Sequence, residues 1–190
     1  IVMCIHVGSM KSLATNENLN LYVKEQCDGV LKRDGKVLRI SFVVYQKDGK
    51  EYPAYCLNKE KPGVGEIGTY DVNIQEVIND LSIWRVMING YPYQIPSQLG
   101  CLNEKEAFAA TKMAIYSVLY GYSIEQFSGI GEEGQRIYNA LNQILQNAKN
   151  SSAVKVSSDF SVKEEQKGWG QDELEMKYIS KEFEVIAKAP

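Results

Sequence analysis

The chain has 190 residues, of which 44% are hydrophobic and 24% are charged, and its formal net charge is −3. This balance is typical of one globular domain or of two small lobes, and it excludes extended disorder and collagen as the main character of the chain. A mildly acidic chain is a poor general binder of nucleic acid or anionic membrane, and no apolar run has the length of a membrane span.

The first 28 residues carry the weakest structural signal. Residues 1–10 (IVMCIHVGSM) are interpreted as a leader that ends in Gly-Ser-Met, and they lack the charged start and long apolar core of a signal peptide. Residues 11–28 are polar and weakly patterned. We therefore treat 1–28 as a leader and N-terminal segment and assign the domain to residues 29–190.

Short strands are predicted next. Asp34-Gly35 and Asp48-Gly49 are two-residue hairpin signals, and residues 37–45 between them are rich in β-branched and aromatic side chains. Residues 51–57 continue the pattern, and residues 58–68 are a loop rich in glycine and proline. The pattern predicts a meander of antiparallel strands.

Helical periodicity replaces the strand pattern in the middle of the chain. Two helices are predicted to open with an asparagine that is followed three residues later by a glutamate, and to end at a glycine. The opening pairs are Asn73 with Glu76 and Asn103 with Glu106, and the glycines are Gly90 and Gly121. A third helix is predicted at about 132–150, and strand signals return after it.

This order of elements predicts an α+β fold. Strands from 29–72 and 153–190 are expected to form one antiparallel β-barrel or sandwich, with a three-helix lobe inserted at 73–152.

Cysteine and histidine usage limits the chemistry. The four cysteines, Cys4, Cys27, Cys56 and Cys101, show no CxxC spacing, which argues against a zinc site and leaves disulfide pairing open. His6 is the single histidine and lies in the leader, which counts strongly against a Cys–His or Ser–His hydrolase. Cys56 ends a predicted strand just before the Gly/Pro loop, where a small buried residue and a nucleophile are both open interpretations.

Three segments together resemble a known family. They are Tyr-Pro-Ala-Tyr-Cys-Leu at 52–57, Ile-Asn-Gly-Tyr-Pro at 88–92, and Ala-Phe-Ala-Ala-Thr-Lys-Met-Ala-Ile-Tyr at 107–116. In order and spacing they resemble the thioester (TQXA) domain of Gram-positive surface and pilus-tip adhesins. The resemblance covers roughly residues 29 to 187 and matches a β-barrel with a helical insert.

The resemblance implies a specific chemistry for Cys56. Its thiol would be joined to a glutamine side chain as an internal thioester, which an amine on a partner attacks to leave a stable amide. Such a domain reacts once and is not an enzyme that turns over. Tyr55, Tyr91, Thr111 and Lys112 are implied as supporting residues, with Lys112 standing where the family has a glutamine. A partly solvated surface charge is the alternative interpretation of Lys112.

The acyl donor is where the sequence departs most from the family pattern. The stretch 178–185, which matches the family's donor strand, contains no glutamine, and the donor position falls near Ser180 and Lys181. Gln166 and Gln171 are nearby, with Gln171 as the fallback. The sequence therefore leaves the acyl partner of Cys56 open.

The resemblance also implies a setting: an extracellular, wall-anchored or pilus-tip position in a longer virulence-associated adhesin or pilus, with a host surface or matrix protein as partner, attached through a lysine amine. No cofactor or metal is expected. Three alternatives stay open: a thioester-like domain that binds non-covalently or is structural, an isopeptide-bearing module, and a carboxylate-based hydrolase. The lysines considered for an isopeptide are Lys36, Lys155 and Lys181.

Overall fold

The computed structural model describes residues 2–4, 17–47, 49–60, 63–64, 67–72, 80–152, 157–167 and 179–188, with side chains for 20–47, 49–60, 63–64 and 80–152. The chain divides into two compact units, Ile1–Ser151 and Ser152–Pro190.

The first unit contains a five-stranded and a three-stranded antiparallel sheet. Its strands are β1 (Val2–Cys4), β2 (Glu17–Gln26), β3 (Leu31–Arg33), β4 (Lys36–Val37), β5 (Ser41–Lys47), β6 (Lys50–Cys56), β7 (Ile67–Val72) and β8 (Phe127–Gly129). The larger sheet has the order β1-β6-β5-β2-β7, and the smaller has the order β4-β3-β8.

Both predicted hairpins are confirmed. Asp34 and Gly35 join β3 to β4 with positive φ angles of 50° and 76°, the left-handed pair that a tight hairpin turn requires. The turn after β5 also needs a residue with a positive φ angle, and Gly49 supplies it with φ of 74°. It pairs Lys47 with Lys50 and sets the register of the strand that ends at Cys56.

Three helices follow, and their caps test the predicted bounds. They are α1 (Leu81–Ile88), α2 (Glu104–Tyr120) and α3 (Gly131–Asn150). The expected opening pair Asn73–Glu76 lies outside the described residues, and Asp80 caps α1 instead by accepting from the amides of Ser82 and Ile83. The second cap is confirmed, since Asn103 accepts from the Glu106 amide at 3.0 Å.

The core lies between one face of the larger sheet and the helices. Its members include Phe42, Val44, Tyr55, Val86, Phe108, Ile115, Ile137 and Leu141. A second cluster of Leu21, Val43, Tyr45 and Ala54 involves the opposite face of the sheet. Alternate residues of β5 thus enter different clusters, because successive strand side chains point to opposite faces. Each fully buried side chain of this size contributes about 1.5–3 kcal/mol, so this packing fixes β6 against α2.

Two strands of the larger sheet lie in residues 1–28, the segment that precedes the predicted domain. β2 lies within the segment expected to be unpatterned, and it pairs with both β5 and β7. Its apolar residues Leu19, Leu21 and Val23 alternate with polar ones, a short signal that the surrounding charges conceal. β1 comes from the segment interpreted as a leader, and its Val2 pairs with Cys56.

The α+β class is confirmed, whereas the barrel is not. Within the described residues the larger sheet is open, with β1 and β7 at its edges, and a barrel requires those edges to be paired. The second unit contains β9 (Ser157–Lys167) and β10 (Ile179–Lys188), which pair antiparallel. Of the helices in the described part of the chain, none combines the length and apolar character of a membrane span.

Candidate functional site

Cys56 occupies the last position of β6, where the strand leaves the sheet. Its side chain is half-buried. The sulfur donates to the backbone carbonyl of Asn58 at 3.2 Å and accepts a hydrogen bond from the Tyr116 hydroxyl. Burial and the Cys56 sulfur raise the pKa of Tyr116, in that order of effect, so the phenol stays protonated as a donor. The thiol is therefore held in one place while part of it still faces solvent.

The loop after Cys56 is fastened to the end of α2 by one tyrosine. The Tyr120 hydroxyl donates to the Leu57 carbonyl at 2.7 Å and accepts from the Lys59 amide at 3.1 Å. The Lys59 ammonium lies 4.4 Å from the centre of the Tyr120 ring and donates to the Tyr122 hydroxyl at 2.8 Å. These bonds satisfy backbone groups that leave the sheet, and they fix the direction in which the chain departs from Cys56.

Tyr55 supports this strand end from inside the core. Its side chain is 1% exposed, and its ring stacks on Phe108 of α2 with centroids 4.5 Å apart and planes 10° apart. Its hydroxyl donates to the Tyr91 carbonyl at 2.7 Å. Burial raises the pKa of Tyr55 well above its usual value, so the hydroxyl stays a donor. Tyr55 thus ties β6 to both the helix and the loop that follows α1.

Thr111 and Gly90 make the third connection. Thr111 donates to the Ala107 carbonyl at 2.8 Å and accepts from the Tyr91 amide at 2.9 Å. A Cβ atom at Gly90 would lie 2.6 Å from the Thr111 methyl carbon, so only glycine fits there without a shift. The three segments singled out in the sequence therefore meet next to Cys56.

Tyr91 contributes mainly through its backbone. Its ring meets Phe42 edge-on with centroids 6.3 Å apart, and its hydroxyl donates a hydrogen bond to Glu104. Burial, with a smaller effect of Glu104, raises the pKa of Tyr91 to about 12. The peptide bond from Tyr91 to Pro92 is cis.

Lys112 lies on the same face of α2 as Phe108 and Tyr116. It is half-buried, and its ammonium donates to the Ser41 carbonyl of β5 at 3.5 Å. Burial lowers the pKa of Lys112, while the charge of Cys56 raises it. Lys112 is therefore a half-buried amine within electrostatic reach of Cys56.

The other described cysteines have a different environment. Cys27 and Cys101 are 2% and 6% exposed, and burial raises their pKa values to about 11 and about 12. No disulfide joins Cys27, Cys56 and Cys101. Because a thiolate is the reactive form, the two buried thiols are the less reactive ones at neutral pH.

The proposed donor positions lie in the second unit. Ser180 and Lys181 are in β10, where Ser180 pairs with Gln166 and Lys181 pairs with Glu165 across the hairpin. Gln171 lies outside the described residues.

Sequence reasoning did not assign a role to Tyr116 or Tyr120. Both follow Lys112 at intervals of four residues, which places them on one helix face. That spacing was the signal that could have found them. In the described residues, no group of three or more His, Cys, Asp and Glu side chains is arranged to hold a metal ion.

Comparisons of the sequence and of the fold with known proteins point to the same family. A family model for the thioester domain matches residues 53–150, a range that includes Cys56 and the whole of α2. No curated protein matches the chain.

Two solved structures share the fold. The Bacillus anthracis TIE protein is 18% identical with a TM-score of 0.60, over 91% of this chain and 31% of its own. The thioester domain of the Enterococcus faecium TIE86 protein is 16% identical with a TM-score of 0.57, over 92% of this chain and 63% of its own. This chain thus spans less than two thirds of either of them.

Proposed function

Because the chain belongs to the thioester domain family, we propose that it is a covalent attachment module whose Cys56 sulfur carries an activated acyl group. An amine on a partner attacks the acyl carbon, the carbon–sulfur bond breaks, and the partner is left attached through an amide. The module reacts once per molecule, because no step restores the thioester.

The observation that carries this proposal is the environment of Cys56. It is the half-exposed cysteine among the three with described side chains, and its sulfur accepts a hydrogen bond from the Tyr116 hydroxyl. A thioester needs a leaving sulfur that is reachable by an amine and stabilised as negative charge develops on it. The Tyr116 hydroxyl meets the second need, since a hydrogen bond to an anionic atom is about twice as strong as a neutral one.

The acyl donor in the proposal is a glutamine of this chain. Attack of the Cys56 thiol on a carboxamide forms the carbon–sulfur bond and releases ammonia, so the product is one ammonia lighter than the sequence. Gln166 and Gln171 are the candidates near the strand where the family places its donor. Gln171 is the fallback donor, and Gln166 is the other nearby glutamine.

The proposed setting follows from the family. We place the module on the outer surface of a Gram-positive bacterium, in a longer wall-anchored or pilus adhesin, where it attaches to a lysine of a host surface or matrix protein. The partial coverage of both solved chains supports a module within a larger protein.

A biotin-tagged primary amine tests the proposal. The chain is incubated with the amine, denatured, and probed for covalent biotin. We expect labelling of the wild type and of C27A, and none of C56A. Labelling of C56A, or no labelling of the folded wild type, would contradict the proposal.

One observation favours a second candidate function. The stretch 178–185 contains no glutamine, so a thioester-like module that binds without a covalent bond is the alternative. This alternative predicts the full mass calculated from the sequence, with no loss of ammonia. It also predicts a free Cys56 thiol and reversible ligand binding.

A further inference from the structure

One face of α2 contacts the strand end that carries Cys56. Phe108, Lys112, Tyr116 and Tyr120 recur every four residues and therefore lie above one another on the helix. Phe108 stacks on Tyr55, Tyr116 hydrogen-bonds the Cys56 sulfur, and Tyr120 hydrogen-bonds the Leu57 carbonyl. Three of the four residues thus contact three consecutive residues of the chain.

Lys112 is the remaining member of this series. It lies between the turn that contacts Tyr55 and the turn that contacts Cys56, so its side chain projects to the same strand end. Its ammonium donates to the Ser41 carbonyl at 3.5 Å and lies 6.0 Å from the centre of the Phe108 ring. These are contacts with a neutral oxygen and a ring.

The charges around Lys112 are few. From β6, the Cys56 sulfur acts on it electrostatically; β5 presents the Ser41 carbonyl, and the neighbouring helix turns present Phe108 and the protonated Tyr116. Among the ion pairs of the described residues, none joins a carboxylate to Lys112. An amine without a carboxylate partner, held within electrostatic reach of this sulfur, is placed to exchange protons there.

We propose that Lys112 is a catalytic residue of the attachment reaction and shuttles a proton from the attacking amine to the Cys56 sulfur. This role rests on the proposed function, because it needs an acyl group on Cys56.

The proton and electron balance is complete within the site. The neutral partner amine adds to the acyl carbon, and neutral Lys112 takes a proton from the new ammonium. The carbon–sulfur bond then breaks with its electron pair going to sulfur. The Lys112 ammonium returns the proton to that thiolate, which leaves an amide, a thiol and a neutral lysine.

The protonation behaviour of Lys112 fits this task. Burial lowers its pKa from the usual 10.5, so at any pH below that value more of it is neutral than of an exposed lysine. A general base works best when its pKa approaches the operating pH.

The test measures the rate of acyl capture by methoxyamine, a weakly basic amine that stays neutral throughout the pH range in which a lysine titrates. Intact-protein mass spectrometry follows the adduct on the wild type, K112Q, K112M and K149M. K149M is the matched control, since Lys149 is an exposed lysine at the end of α3. Thermal unfolding shows whether each variant is folded.

We expect the wild-type rate to rise with pH through a titration below that of an exposed lysine. K112Q and K112M should lose this titration and react at least about 10²-fold more slowly, the usual range for general acid–base catalysis. K149M should behave as the wild type.

Equal rates and pH profiles in the wild type and in folded K112Q or K112M would overturn the role of Lys112 while leaving the attachment function intact. A wild-type mass one ammonia short with a freely alkylated Cys56, restored to full mass in K112Q, would overturn it as well, because Lys112 would then have captured the acyl group itself. If neither variant folds, the wild type alone decides. A capture rate that does not titrate at a pH below that of an exposed lysine would then overturn the role of Lys112. A wild type that never takes up methoxyamine would remove the proposed function first.

Discussion

The Thr111 hydroxyl oxygen lies 2.9 Å from the Tyr91 amide nitrogen, and its hydrogen points to the Ala107 carbonyl at 2.8 Å. This one side chain therefore joins α2 to the loop after α1. In the same loop, the Tyr91 carbonyl accepts a hydrogen bond from the Tyr55 hydroxyl. The strand that ends at Cys56 is thus positioned by a short chain of hydrogen bonds that passes through two other segments.

Replacing Thr111 by valine should destabilise the fold. Valine keeps the shape but leaves the Tyr91 amide without its acceptor, which costs about 1–3 kcal/mol for a buried group. T111S is the matched control because it retains the oxygen, and it should keep the Tyr91 amide protected from hydrogen exchange. Urea unfolding and amide exchange measure the two effects. A T111V protein with an unchanged, slowly exchanging Tyr91 amide would contradict the assignment of this bond.

Gly90 should not tolerate alanine. The added methyl would lie 2.6 Å from the Thr111 methyl carbon and 2.8 Å from its hydroxyl oxygen. Overpacking of this kind costs about 1–3 kcal/mol. The double variant G90A/T111A should be less destabilised than the sum of the two single variants, because it removes the clashing atoms. Strictly additive free energies of unfolding would show that the two residues do not collide.

Tyr116→Phe should slow amine capture while leaving the fold intact. The variant removes the donor to the Cys56 sulfur. A hydrogen bond to a charged group contributes about 1.5–3 kcal/mol, so the rate should fall by about tenfold or more. Y138F, on α3, is the control for loss of a tyrosine hydroxyl elsewhere. Capture as fast in Y116F as in Y138F would mean that the phenol does not assist the leaving sulfur.

The start of α2 should make stability depend on pH in the acid range. Glu106 is 1% exposed and accepts two hydrogen bonds from Arg136 at 2.8 and 3.0 Å. The guanidinium lowers the pKa of Glu106 below its usual 4.5. A carboxyl with a depressed folded pKa stabilises the fold above its unfolded pKa, and this contribution is lost as the pH falls through the folded value.

Two variants check this contribution in unfolding experiments at several pH values. E106Q should be less stable than the wild type at neutral pH, and its stability should fall less steeply below about pH 4.5. E133Q, which removes the partly exposed pair of Glu133 with Lys105 at 3.1 Å, should change stability by at most about 1 kcal/mol. An acid profile in E106Q identical to that of the wild type would contradict the role of the buried pair.

Local signals predicted much of this architecture. Asp34-Gly35 must form a tight turn because few other dipeptides accept two positive φ angles. Asn103 with Glu106 marks a helix start because its side chain replaces a missing backbone acceptor. These signals depend on neighbouring residues alone, so the sequence shows them directly.

Features that depend on distant residues were harder to predict. The use of β2 as an inner strand depends on its partners β5 and β7. The contact between Tyr116 and Cys56 requires the packing of a helix on a strand end 60 residues away in sequence, which no local pattern encodes.

The mass of the intact chain tests the central claim most directly. We predict a mass one ammonia below that of the sequence and a Cys56 that does not react with iodoacetamide. Methylamine should then add once, at the acyl donor, and release the Cys56 thiol for alkylation. A full sequence mass, with Cys56 alkylated before any amine is added, would contradict the claim.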